Sequence, residues 1–240
     1  VAPPADGRGI AIAIDPASER LQALHPWPAW TGGDPQGLRV LAKTRGKTTT
    51  DHIAPAGPWL RYRGHLEKFS ANLLAGAVDA FAGGVGRARD PVSGTVRTFA
   101  ETARSWRDSG IAWVIVGDTN YGEGSSREHA ALTPRLLGGI AVIARSFARI
   151  HETNLKKQGL LALTFRDPLD WERIGADDRI ALVGVDRLAA GQPVKAIVTH
   201  PDGTAEIIVL DHSYSDRQVA WFRAGSALAA TAAAPAAMAS

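Results

Sequence analysis

Residues 117–130 read GDTNYGEGSSREHA, between an apolar run, IAWVIV (111–116), and a helix-like one, EHAALTPRLLGG (128–139). The spacing puts these residues where a strand hands over to a helix, the usual place for a ligand in an α/β sheet. Gly122 and Gly124 permit sharp turns and close approach of a ligand to the backbone. Amides in the first turn of a helix lack intrahelical acceptors, and a carboxylate there gains about 0.3–1 kcal/mol. Arg127 adds a planar fork suited to bidentate carboxylate binding. The stretch is therefore a candidate anion cradle, with phosphate as the rival ligand, although the GxxxxGK[ST] pattern of a P-loop is absent. A plainer reading stands beside it. Ser125 or Ser126 is a natural N-cap, and Glu128, three residues after Ser125, completes a capping box. A serine acts as a base only when amides and a cation stabilise its alkoxide, and this junction offers both.

The elements that would hold this junction follow from periodicity. LRVLAKT (38–44) reads as a strand, and TTTDHIAPAGPW (48–59) as a turn-rich loop. HLEKFSANLLAGAVDAF (65–81) has helical spacing interrupted by Gly76, GGVGRARDPVSG (83–94) reads as a flexible connection, and residues 95–110 read as an amphipathic helix. Strands over 111–118, 140–145 and 160–165 alternate with helices over 125–139 and 146–159, which predicts α/β units on a largely buried sheet. Short strands at 178–185, 193–200 and 204–211 form a β-rich lobe, and a helix over 215–230 closes the fold with Ser215 or Asp216 as its cap. Residues 1–37 read as an arm or linker, 38–230 as one domain, and 231–240 as a frayed tail.

Bulk properties narrow the function. The chain of 240 residues is long enough for one sizeable core. It has no cysteine, which excludes disulfides, thiolate metal sites and cysteine nucleophiles within it. The net charge of +3 suits small anions without calling for nucleic acid. No apolar run reaches membrane-spanning length. The chain starts VAPPADG and has a single methionine, Met238, so it reads as a processed product or a piece of a longer polypeptide.

Several long words resemble one family. GDTNYGEGSSREHAA together with ARSFARIHETNLKKQGLLALTF (144–165) resembles the C-terminal swivel domain of aconitases of the mitochondrial type, also found in bacteria. KTRGKTTTDHIAPAGPWLRYRGHL (43–66), AWFRAGSAL (220–228) and DPASERLQ (15–22) resemble its opening loops, last helix and preceding linker. The resemblance implies a three-layer β/β/α swivelling domain of the α/β class, working in the mitochondrial matrix or the bacterial cytoplasm. It implies that Ser125 is the base that removes a proton next to a substrate carboxylate. Ser126, Arg127 and Arg63 would bind substrate carboxylates, and Asp51 would support a histidine from another domain. The substrate would be a tricarboxylate, citrate or isocitrate. A [4Fe–4S] cluster, held by cysteines of the cluster-bearing domains 1–3, would complete the enzyme, and this chain alone would be inactive.

Three positions depart from the family pattern: Ala54 stands where Ser is usual, Thr119 where an acid is usual, and Leu136 where His is usual. Two other functions compete. The GSSRE word also belongs to small subunits of 3-isopropylmalate and homoaconitate dehydratases, although YRGH (62–65) and the AGPW loop look like aconitase. An RNA-binding role lacks an aromatic-basic motif, so nucleic acid is not expected as a partner. His52, His65, His129 and His151 show no zinc spacing and read as structural or as supports behind the residues that touch a ligand. Lys156 and Lys157 read as solvated partners of a helix dipole, Arg61 as either a surface residue or, being near Arg63, an aid to anion binding, and Trp59, Trp106, Trp113 and Trp221 as packing residues.

Overall fold

The computed structural model describes residues 12–233. The first part of the expected arm (1–11) and most of the expected tail (234–240) lie outside the described residues.

Seven strands close into a barrel with two unlike walls. One wall is parallel: β1 (Leu38–Lys43), β4 (Trp113–Gly117), β5 (Gly139–Ala144) and β6 (Leu161–Phe165). The other is antiparallel: β7 (Arg179–Val183), β8 (Val194–Thr199) and β9 (Ala205–Asp211). Antiparallel contacts β6–β9 and β1–β7 join the walls. The parallel strands are apolar on both faces because both faces are covered. Leu38, Val40, Val114, Val116, Ala141 and Ile143 turn into the barrel and meet Ile180, Leu182 and Val198 of the antiparallel wall. The alternate residues, among them Ile115, Val142 and Ala162, face a helical layer. Two β layers and one α layer result, the architecture that the resemblance implied.

The helical layer contains α3 (Phe99–Asp108), α4 (His129–Leu136) and α5 (Arg149–Lys157), with α6 (Asp216–Arg223) and α7 (Ala227–Ala233) closing the chain. Phe99, Trp106 and Leu155 pack against the outer face of the parallel wall. Thr98 and Glu101 form a capping box at the start of α3, and Ser215 and Gln218 form one at α6.

Four segments differ from the sequence reading. The helix expected over 65–81 is only α2 (Leu66–Phe69) with a 3-10 turn at Ser70–Asn72. Leu74 then takes a left-handed conformation, and Gly76 lies so close to His52 that a Cβ would come within 3.0 Å of its Cα. The connection at 83–94 and the start of the next segment contain a hairpin, β2 (Arg87–Arg89) with β3 (Val96–Thr98). The closing helix breaks at Gly225, whose φ of 87° leaves the helical region. The end of the arm is packed: Trp30 stacks on Phe222 at 5.0 Å, and the Asp34 carboxylate accepts from the amides of Gly184 and Asp186.

Candidate active site

Parallel pairing brings the loops after β1, β4 and β5 to one end of the wall. The β1 loop contains α1 (Thr50–Ile53), and the β4 loop contains GEGSSRE. Backbone hydrogen bonds knit them together: Gly122 N–H donates to Thr48 O at 2.7 Å, and Thr50 N–H to Glu123 O at 2.8 Å. On the other side, Ala148 N–H donates to Tyr121 O at 2.9 Å and Asn120 N–H to Ser146 Oγ at 2.8 Å. The β4 loop therefore runs as a strand-like filament between its neighbours. At its root, burial raises the Asp118 carboxyl. The Gly46 amide and the Arg145 guanidinium outweigh burial and hold it below its ordinary value.

Gly122 has a φ of +83°, and a Cβ there would lie 2.1 Å from Cδ2 of His151. Its lack of a side chain makes room for that imidazole rather than for a ligand. His151 is 1% exposed, packs 5.5 Å from the Tyr121 ring, and has no hydrogen-bond partner on either ring nitrogen among the described residues. Burial pushes its pKa down to about 4, so the ring is neutral at neutral pH. Burial likewise pushes the Tyr121 phenol upward. Sequence reasoning grouped His151 with structural histidines but missed its place under the serine loop. Only Gly122 hinted at a bulky neighbour.

Ser125 and Ser126 are exposed. The capping reading is overturned: α4 starts at His129, its N-cap is Glu128, and no side chain caps it. Glu128 instead accepts from Gln158 Nε2 at 2.9 Å, and Gln158 Oε1 accepts from Trp27 Nε1 at 2.9 Å. The backbone amides of Ser125, Ser126, Arg127 and Glu128 donate to no acceptor among the described residues. They remain available to an anion at a helix start.

Arg127 is largely buried, and its Nη1 donates to three oxygens: Asp51 Oδ1 at 2.6 Å, Ala54 O at 2.8 Å and Thr50 O at 3.2 Å. Among the described residues Asp51 pairs with Arg127, and its side chain stays 61% exposed. Ala54 contributes a carbonyl that any residue would supply. Arg63 is exposed at the end of a 3-10 turn, Gly57–Tyr62. Its carbonyl accepts from His129 Nε2 at 2.9 Å, which ties the Arg63 loop to the first residue of α4. His129 also lies 4.4 Å from the Phe69 ring.

The remaining histidines have local duties. His52 Nδ1 accepts from the Thr49 amide, and His65 Nδ1 from the Lys68 amide. Lys156 departs from the solvated reading. It is buried, lies 2.7 Å from Glu152, and donates to Ser213 Oγ at 2.6 Å. Lys157 is exposed as expected. Trp106 and Trp113 are core residues, with Nε1 bonded to Asp90 and to Leu137 O. Arg61 stacks on Tyr62.

An iron–sulfur cluster needs thiolate ligands. The chain has no cysteine, and the described residues contain no group of three His, Asp or Glu able to hold a metal ion. Its own residues therefore do not fit such a cluster. No helix among the described residues is long and apolar enough to cross a membrane.

A β/β/α barrel with an exposed serine pair and a clamped arginine at the carboxyl edge of its parallel strands defines a swivel-type domain. Residues 38–168 match the Aconitase C-terminal domain family. The chain belongs to that family. It is 54% identical over 226 residues to the mitochondrial aconitate hydratase of Gracilaria gracilis, covering 94% of this chain. It is 51% identical over 227 residues to that of Saccharomyces cerevisiae, covering 95%. In both comparisons the chain spans only 29% of the relative's length. A crystal structure of 3-isopropylmalate dehydratase from Methanocaldococcus jannaschii superposes with a TM-score of 0.54 over 83% of this chain and 94% of that one. At 20% identity this likeness shows the fold alone.

Proposed function

We propose that this chain is the part of an aconitate hydratase that supplies the proton-abstracting serine and the carboxylate clamps. The observation that carries the reading is the exposed Ser125 beside free backbone amides and a clamped Arg127, in a chain 54% identical to an aconitate hydratase.

In this reading Ser125 Oγ, as an alkoxide, takes the proton from the carbon next to a substrate carboxylate. Charge then builds on that carboxylate. Ser126, Arg127 and Arg63 meet it with fixed donors, so stabilisation is greatest in the transition state. The free amides of residues 125–128 and the neighbouring guanidinium lower the cost of the alkoxide. Asp51 acts through Arg127: it holds Nη1, which leaves Nε and Nη2 to the substrate.

The chain matches less than a third of each relative, so the rest of the protein is proposed to contribute the remaining parts. These include the cluster-bearing domains, which would supply the [4Fe–4S] cluster and release of the hydroxyl. The tricarboxylate substrate, inactivity of this chain alone, and a location in the mitochondrial matrix or bacterial cytoplasm belong to the same proposal. So does the division into an arm (1–37), a domain (38–230) and a tail (231–240).

The test is substrate choice. Full-length protein containing this chain, with its cluster loaded, is expected to turn over citrate and isocitrate and to leave 3-isopropylmalate untouched. Turnover of 3-isopropylmalate alone would replace the proposal with the dehydratase reading.

A further inference from the structure

The φ of Gly64 lies outside the left-handed region, so its conformation alone does not call for glycine. Its surroundings do. A Cβ there would lie 2.9 Å from Arg20 O and 2.9 Å from Leu21 Cδ2, and its three nearest neighbours all belong to residues 20 and 21 of the arm. Leu21 pairs with Gly64 as a parallel bridge, and Gln22 N–H donates to Gly64 O at 2.8 Å. The Gln22 side chain adds a hook: its Oε1 accepts from the Glu67 amide at 2.9 Å, at the start of α2. That start is fixed from behind, because Arg104 and Arg107 of α3 both donate to the Glu67 carboxylate. Residues 20–22 therefore sit on a rigid ledge, although Arg20 and Leu21 stay exposed.

Arg63 immediately precedes this seat. Its amide donates to Leu60 O at 3.1 Å, and its carbonyl accepts from His129 Nε2 at 2.9 Å. His129 is the first residue of α4, two positions after Arg127. The backbone of Arg63 is thus strung between the arm and the serine helix. A shift of either end moves its guanidinium relative to Ser125 and Arg127.

We infer that Gly64 and Gln22 are positioning residues: seating of Arg20–Gln22 on Gly64 places Arg63, so the arm is a working part of the active-site scaffold and not a passive tether. The inference rests on the hydratase reading for the role of Arg63 as a clamp. In that reading the arm leads toward the cluster-bearing domains, and a shift of those domains reaches Arg63 through it. The seat consists of a few surface contacts, so the arm can release without unfolding of the barrel.

The test uses full-length protein carrying G64A, whose new Cβ evicts the arm, or Q22A, which removes only the hook. Q22A acts on the arm alone and separates its effect from any direct effect of the new methyl group. Trypsin cleavage after Arg20 reads seating, and hydrogen exchange of backbone 57–66 reads the Arg63 loop. Cleavage is expected to be about tenfold faster in G64A and about threefold faster in Q22A, with exchange over 57–66 rising in the same order and exchange in β4 and β5 unchanged. Kd for tricarballylate, a tricarboxylate with no hydroxyl to lose, and KM for citrate are expected to rise about fivefold to tenfold in G64A, while kcat falls less than about twofold, the split left by a displaced ground-state clamp. A released arm with parental exchange over 57–66, or with parental KM for citrate, would overturn the inference, as would parental cleavage after Arg20 in both variants. Faster exchange over 57–66 on release of the arm, in a protein that turns over no citrate, would sink the hydratase reading and leave the placement of Arg63 by the arm standing.

Discussion

Arg127 Nη1 lies 2.6 Å from Asp51 Oδ1 and also donates to Ala54 O and Thr50 O. One corner of the guanidinium thus holds the short helix that follows β1, and the proposal gives its other edge to a substrate carboxylate. Lysine cannot reproduce this, because its three donors radiate from a single point. R127K is expected to lower kcat/KM about 100-fold, the scale of a misplaced substrate. D51N, which keeps the shape but removes the charge, is expected to cost about tenfold, the smaller loss of one charge-assisted bond. Steady-state kinetics on the full-length protein decide this. R127K activity equal to that of the parent would remove the clamp from the account.

Gly122 is tested by giving it a side chain. G122A combines a left-handed φ with a Cβ driven into the His151 ring. Roughly 2–4 kcal/mol of destabilisation is expected from strain and overpacking together. Urea unfolding monitored by circular dichroism measures it. The pair G122A/H151A is expected to recover the overpacking part but not the strain.

His151 makes stability depend on pH. Burial lowers its folded pKa to about 4 from the ordinary 6.5. Between these values the unfolded chain binds a proton that the folded chain refuses, so stability rises with pH across this window. It is full above about pH 6.5 and lost as pH falls toward 4. The ring is 1% exposed, and the loss is on the order of 3 kcal/mol. Denaturant midpoints at pH 7 and pH 4.5 are expected to diverge less in H151Q than in the parent. An equal divergence would show that other groups set the acid limb.

The parallel wall was legible because its strands are apolar on both faces and separated by helix-length intervals, and the antiparallel lobe because its strands are short and split by turns; their closure into one barrel was not. What failed to show depended on distant partners. Ser125-x-x-Glu128 matches a capping box, yet Glu128 is recruited by Gln158, thirty residues along, and the helix starts later. Lys156 looked solvated because Ser213, which accepts its hydrogen bond, lies 57 residues away. Residues 65–81 kept helical spacing, but Gly76 is pressed against His52 and Leu74 turns the chain. The site was legible as a set of residue types. That Arg127 faces Asp51, and that His151 underlies Gly122, became visible only once parallel pairing had brought the β1, β4 and β5 loops to one edge.

In the proposed reaction the Ser125 alkoxide takes the substrate proton. The most direct measurement is kcat of S125A in full-length, cluster-loaded protein, alongside its Kd for tricarballylate. The account expects kcat to drop a thousandfold or more, while Kd stays within threefold because the clamps are intact. An S125A protein that keeps more than a tenth of parental kcat would contradict it, and the base would have to be sought on another side chain.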